Sequence, residues 1–159
     1  MSAVLNGVYI NGAWHAGQAS LEVINPATEA VLVHVSVGDA STVTQAIDAA
    51  SAAFIDWSKS TGRDRAALLR KIAQGVSEQR EQLMHLQSSN NGKPLFEAAI
   101  DVDDVIATFD YYASVAEAMD ASQDSPVALP SADFSARLRR EPCGVVGLIV
   151  PWNFPMVTT

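Results

Sequence analysis

The chain has 159 residues, 48% hydrophobic and 18% charged, with 18 acidic against 10 basic side chains for a formal net charge of −8. This balance excludes general disorder, which needs low hydrophobicity and high charge, and the acidic excess excludes nucleic acid as the main partner, because phosphate backbones would be repelled. One cysteine, Cys143, excludes a disulfide framework and a cysteine-rich zinc module.

Residues 8–14 predict two short strands about Asn11-Gly12, since Asn and Gly accept the positive φ of tight hairpins. A second strand pair is predicted at 21–24 and 31–35, around a turn at 25–28 where Pro26 fixes φ and Asn25 caps the bend. Three helices follow. Asp39 is placed to cap the first, whose Val43, Ile47, Ala50, Phe54 and Trp57 recur on one face. The second is predicted over 63–88, with Leu69, Ile72, Val76, Leu83 and Leu86 inward and Arg70, Lys71, Glu78 and Arg80 outward. Asn90-Asn91-Gly92-Lys93-Pro94 stops it. The third is predicted over 95–121, with Val102, Val105, Ile106, Phe109, Tyr112 and Ala116 as its apolar stripe.

Residues 123–133 read as a turn-rich connector, and 134–140 alternate as a half-exposed strand whose arginines guard its edge. The continuous apolar run 145–150 reads as a strand covered on both faces in a parallel sheet. The fold class is therefore α/β. No basic start precedes an apolar core near the N-terminus, and the longest apolar run falls far short of the roughly 20 residues of a membrane helix. No membrane partner is expected, and a cytoplasmic location is. The chain stops at Met156-Val157-Thr158-Thr159, directly after its strongest apolar run, so a piece of something larger is expected.

Chemistry concentrates in Pro151-Trp152-Asn153-Phe154-Pro155, because ligands in open α/β sheets gather at the carboxyl ends of strands. Asn153 offers an uncharged amide donor between two stiffening prolines. Such a donor suits an oxyanion hole, and it equally suits a rigid turn with a solvated Asn. Glu97, Asp101 and Asp104 share one face of the third helix. They form either a solvated acidic face or a field that draws in a cationic substrate. Tyr111 and Tyr112 are candidates for the core or for the wall of a tunnel. His15, His34 and His85 are too scattered for a metal site, and Cys143, with no helix N-terminus to activate its thiol, reads as a small structural residue.

Residues 141–155, running from Glu141-Pro142-Cys143-Gly144 through the proline-framed pentapeptide, closely resemble the aldehyde dehydrogenase superfamily at its first dinucleotide-domain strand. Val8-Tyr9-Ile10-Asn11-Gly12, Val23-Ile24-Asn25-Pro26-Ala27-Thr28 and Asn91-Gly92-Lys93-Pro94-Leu95 resemble other family segments, in the right order. Asp110-Tyr111-Tyr112-Ala113 is similar to the betaine and amino aldehyde branch. The resemblance implies the N-terminal part of an aldehyde dehydrogenase-like fold. Residues 1–122 would open the dinucleotide-binding domain, 123–142 would be a connector and oligomerisation strand, and 143–159 would be the first strand and active-site loop.

The resemblance further implies an NAD- or NADP-dependent oxidation of a small-molecule aldehyde, and a homo-oligomeric full-length protein. Asn153 would donate to the oxyanion, and Val150, Pro151 and Trp152 would line the adenosine end of the dinucleotide. Glu97, Asp101, Asp104 and Phe154 would line the substrate tunnel, with Phe154 standing where betaine aldehyde specialists carry Tyr. Val23, Ile24 and Asn90 would be the ligand positions of a structural monovalent cation. The nucleophilic cysteine, the general-base glutamate and the glycines near the pyrophosphate are not found here, so this polypeptide alone is expected to be inactive. The alternative is a non-catalytic binding or assembly domain of the same fold.

Overall fold

The computed structural model describes residues 7–158. Residues 1–6 and 159, which fall at the outer ends of the first and last expected segments, lie outside the described residues. The element order is β1 (Val8–Ile10), β2 (Ala13–His15), β3 (Ala19–Ile24), β4 (Val31–Val37), α1 (Ala40–Trp57), α2 (Gly62–Glu78), α3 (Arg80–Asn91), α4 (Leu95–Ala121), β5 (Ser125–Val127) and β6 (Ala136–Leu138). The strands form three separate antiparallel hairpins, β1–β2, β3–β4 and β5–β6.

The first two hairpins follow from their turns. Asn11 and Gly12 both adopt positive φ, 51° and 79°, as a two-residue hairpin loop demands. At the second turn Asn25 Oδ1 accepts from the Ala27 N–H at 2.9 Å. The helix starts are equally local. Asp39 Oδ1 accepts from the Thr42 N–H while Thr42 Oγ1 accepts from the Asp39 N–H, a reciprocal box at the head of α1. Thr61 and Asp64 repeat the device on α2. These hydrogen bonds to the charged form hold the Asp39 and Asp64 carboxyls below the ordinary carboxylate value.

The core is a seam of small residues between α2 and α4. Ala66, Ala73, Ala98, Ala113 and Ala116 are buried with Val102 and Val105. Small side chains let two helix backbones approach closely, and larger ones then flank the seam. Ile72, expected inside, is accordingly 44% exposed, while Leu86, also expected inside, lies on α3 away from the seam and is 57% exposed. The closest approach is at Gly62. A Cβ there would meet the Ala116 carbonyl oxygen at 2.0 Å, and the Gly62 N–H donates to Asp120 Oδ2 at 2.7 Å. Forked pairs brace the margins: Arg70 to Glu117 at 2.7 and 2.8 Å, and Arg80 to Asp103 at 2.7 Å on both arms. Each guanidinium holds its partner's carboxyl below the usual range.

Four expectations are corrected. The helix predicted over 63–88 is two helices, broken at Gln79 (φ −106°, ψ 12°), where Arg80 turns to fork onto Asp103 of α4. The connector 123–133 contains a strand, β5, which pairs with the shortened β6. Tyr111 and Tyr112 are not core residues: they are 63% and 55% exposed, edge-on at 5.2 Å. Residues 145–150 form no strand and lie in no parallel sheet among the described residues. An extended run becomes a strand only with a neighbour to bond, and none is supplied there, so Ile149 stands fully exposed. Helix α1 likewise has no buried residue, and its Val43 and Ile47 are at least half exposed.

In helical propensity alone, Ala exceeds Gly by about 1 kcal/mol. At Gly62 the sign is expected to reverse. Gly62→Ala drives a methyl group into the Ala116 carbonyl and should destabilise the chain by about 2 kcal/mol. Urea unfolding of wild type and variant checks this, and a stabilised variant would show that the seam is not tight.

Candidate active site

The turn between α3 and α4 gathers the site. Gly92 ends α3 with φ 77°, the left-handed conformation that glycine takes most readily. A Cβ on Gly92 would meet Pro26 Cγ at 2.9 Å, so the 25–28 turn presses on this one. Asn91 Oδ1 accepts from the Lys93 N–H at 3.0 Å, and Ser88 Oγ donates to the Lys93 carbonyl at 2.8 Å. The turn is thereby held from both sides.

The 151–155 loop sits on this turn. Asn91 Nδ2 donates to the Trp152 carbonyl at 3.4 Å. Lys93 Nζ lies 3.7 Å from the centroid of the Phe154 ring, within cation–π range. Asn91, Gly92, Lys93, Glu97, Trp152 and Asn153 line one open cleft of about 260 Å³. Two residues singled out separately in the sequence, Glu97 and Asn153, therefore line the same cleft.

The acidic trio does not stay together. Asp101 is 4% exposed, pairs with Lys93 Nζ and accepts from Gln87 Nε2. Helical geometry explains this: of the three, Asp101 lies nearest in angle to the stripe of Ala98, Val102 and Val105, whereas Glu97 and Asp104 turn outward. Its charge is matched by a lysine whose side chain is only 11% exposed. Glu97 and Asp104 are exposed, and Asp104 is not among the residues lining the cleft.

The remaining expected residues are more scattered. Val150 and Trp152 are 38% and 85% exposed, and Pro151 is exposed. The Trp152 ring stands open, while its carbonyl is taken up by Asn91. Val23 and Asn90 line a second groove of about 280 Å³ with Val33, Val35, Leu83, Leu86, Gln87, Pro155 and Met156, and Ile24 does not line it. No carboxylate lines that groove, so a cation there would depend on neutral oxygens. Cys143 is exposed, not packed as a structural residue would be. The Asn-Gly-Lys-Pro turn read as a helix stop in the sequence. Nothing in its local pattern announces that Asn91 and Lys93 line the cleft, or that Gln87 bonds the buried Asp101 that Lys93 pairs with.

The aldehyde dehydrogenase family model matches residues 14–159. The chain belongs to the aldehyde dehydrogenase family. It is 44% identical over 158 residues to aminoaldehyde dehydrogenase 2 of Zea mays, covering 95% of this chain and 31% of that protein. It is 41% identical over 158 residues to betaine aldehyde dehydrogenase 1 of Oryza sativa subsp. japonica, with the same coverage. The structure of betaine aldehyde dehydrogenase from Staphylococcus aureus in complex with NAD+ superposes with a TM-score of 0.85 at 33% identity, covering 96% of this chain and 31% of that one. The chain thus spans about a third of the length of the relatives it matches.

Asp101→Asn leaves Lys93 buried without its counter-charge and should cost about 3 kcal/mol of stability. Asp104→Asn, at an exposed position, should stay within about 0.5 kcal/mol. Chemical denaturation of the two variants side by side checks this contrast. Equal losses would return Asp101 to a solvated acidic face.

Proposed function

We propose that this chain is the N-terminal third of an NAD+-dependent dehydrogenase that oxidises small cationic aldehydes, aminoaldehydes and betaine aldehyde, to their carboxylic acids. The single observation that carries the reading is that Asn153 and Glu97 line one cleft, in a chain of the aldehyde dehydrogenase family. The names of the maize and rice relatives support the substrate class, and the NAD+ in the Staphylococcus structure supports the cofactor.

In this reading Asn153 donates its side-chain N–H to the carbonyl oxygen of the aldehyde as negative charge develops there. The loop needs no large rearrangement during reaction, because Asn91 and Lys93 already hold it. Glu97, exposed at the cleft, attracts the substrate's cationic end. Phe154 offers a π face, though Lys93 occupies one side of it. Val150, Pro151 and Trp152 would hold the adenosine end of NAD+, which when bound accepts hydride from the substrate. The attacking thiolate comes from outside this chain, since Cys143 is its only cysteine and lies before the 145–150 run.

In the same reading 1–122 and 143–159 belong to the dinucleotide-binding domain, and 123–142 supplies an oligomerisation element. The β5–β6 ribbon supports the latter: it leaves Val127, Phe134 and Leu138 exposed, an apolar edge suited to a second subunit. The uncovered run 145–150 supports a sheet completed by further chain.

The test is NADH formation by the full-length product of the reading frame that contains this chain, with an aminoaldehyde, betaine aldehyde and a neutral aldehyde of similar size. Turnover is expected in the full-length protein and none in the 159-residue chain. Asn153→Ala should lower kcat by roughly 10²–10³-fold. Glu97→Gln should weaken kcat/KM for the cationic aldehydes and leave the neutral one almost unchanged. No NADH from the full-length protein would overturn the dehydrogenase reading in favour of a non-catalytic domain.

A further inference from the structure

Lys93 has no assigned part in the chemistry, yet it contacts both Asn91 and Phe154, which hold the loop on either side of Asn153. Its Nζ pairs with buried Asp101 and stands against the ring of Phe154, the residue directly after Asn153. Its backbone is fixed from Asn91 and Ser88, and Asn91 also reaches the Trp152 carbonyl, directly before Asn153. The loop is therefore gripped on both sides of the amide donor by one turn.

We propose that Lys93 is a positioning residue for Asn153. Held by Asp101, its ammonium group fixes the Phe154 ring from one side and so sets the direction of the neighbouring amide. The inference rests on the dehydrogenase reading for what Asn153 does, but not for how the loop is held. The charge pair explains why the arrangement is rigid. An ammonium on a flexible stem would ordinarily sample many rotamers, whereas here a buried carboxylate, itself bonded by Gln87, leaves it one favourable place. The ring then meets a fixed charge, not a moving one.

The experiment uses the full-length enzyme. Phe154→Leu removes the ring's negative face and leaves the Lys93–Asp101 pair intact. In this variant kcat should fall roughly tenfold, the scale expected when a group near the chemistry is misplaced by less than 1 Å. The KM for a small neutral aldehyde should hold within about twofold. Phe154→Tyr, which keeps the π face, should restore kcat.

Lys93→Met is made together with Asp101→Asn, so that no buried charge is stranded. It should give the same loss, and adding Phe154→Leu to it should cost little more, because both act through one contact. Hydrogen–deuterium exchange over 151–158 in the substrate-free protein should rise in each impaired variant and return in Phe154→Tyr. A Phe154→Leu enzyme with unchanged kcat and exchange, or losses that multiply in the combined variant, would overturn the proposal. A loss confined to KM would assign Phe154 to substrate contact alone and overturn it equally. If Asn153→Ala leaves kcat intact, the reading of Asn153 fails instead, and unchanged or raised exchange still decides whether Lys93 holds the loop.

Discussion

The buried pair of Lys93 and Asp101 is the interaction on which the site depends. Removing two charges from water is expensive, and their attraction repays it only with close geometry and further hydrogen bonds. Here Gln87 adds one such bond to Asp101, from α3 to α4. The pair therefore joins three parts of the chain at one point: the end of α3, the start of α4, and the turn between them. Once the turn is fixed, the 151–155 loop has a surface to rest on. The placement of Asn153 follows from an electrostatic contact some sixty residues earlier in sequence.

The rest of the structure serves this point by holding α4 still. The alanine seam draws α2 against α4 with Gly62 at the closest approach, and the forks of Arg70 and Arg80 tie α2 and α3 to the same helix. The β3–β4 hairpin lies across a groove shared with α3 and the loop end, through Val23, Val33, Leu83 and Met156. Elsewhere the apolar surface is uncovered, on α1, on the β5–β6 ribbon and along 145–150. Contiguous exposed apolar surface of this kind marks places where other protein sits. The well-packed part of the chain and the part that presents the site are the same part.

What the sequence reveals follows how local each cause is. Asn11-Gly12, Asp39 with Thr42, and Gly92 specify their turns and caps within a few residues, and the structure reproduces both first hairpins and the ends of α1 and α4. The break at Gln79 has no glycine or proline to announce it, because Arg80 is redirected by Asp103, twenty-three positions away. Asp101 matched a charged helix face by spacing, and only a buried lysine on the preceding turn reveals it as an interior residue. The run 145–150 has the composition of a strand, but composition cannot supply the neighbour that makes one. The prolines on both sides of Asn153 mark a stiff loop, but they leave its amide equally suited to a solvated turn, and only the resemblance of residues 141–155 singles it out. Its support from Lys93 was not legible, since a lysine in an Asn-Gly-Lys-Pro turn ordinarily signals a helix end and nothing more.

A hydrogen-bonded turn, a loop seated on it and an asparagine lining a cleft come together in a member of the aldehyde dehydrogenase family. The most direct test is a crystal structure of the full-length protein with NAD+ and a bound aldehyde or its covalent adduct. The Asn153 side-chain nitrogen should lie about 2.7–3.1 Å from the oxygen that carries the charge, with Lys93 still between Asp101 and the Phe154 ring. An Asn153 amide turned away from that oxygen, with the loop lifted from the turn, would contradict this arrangement.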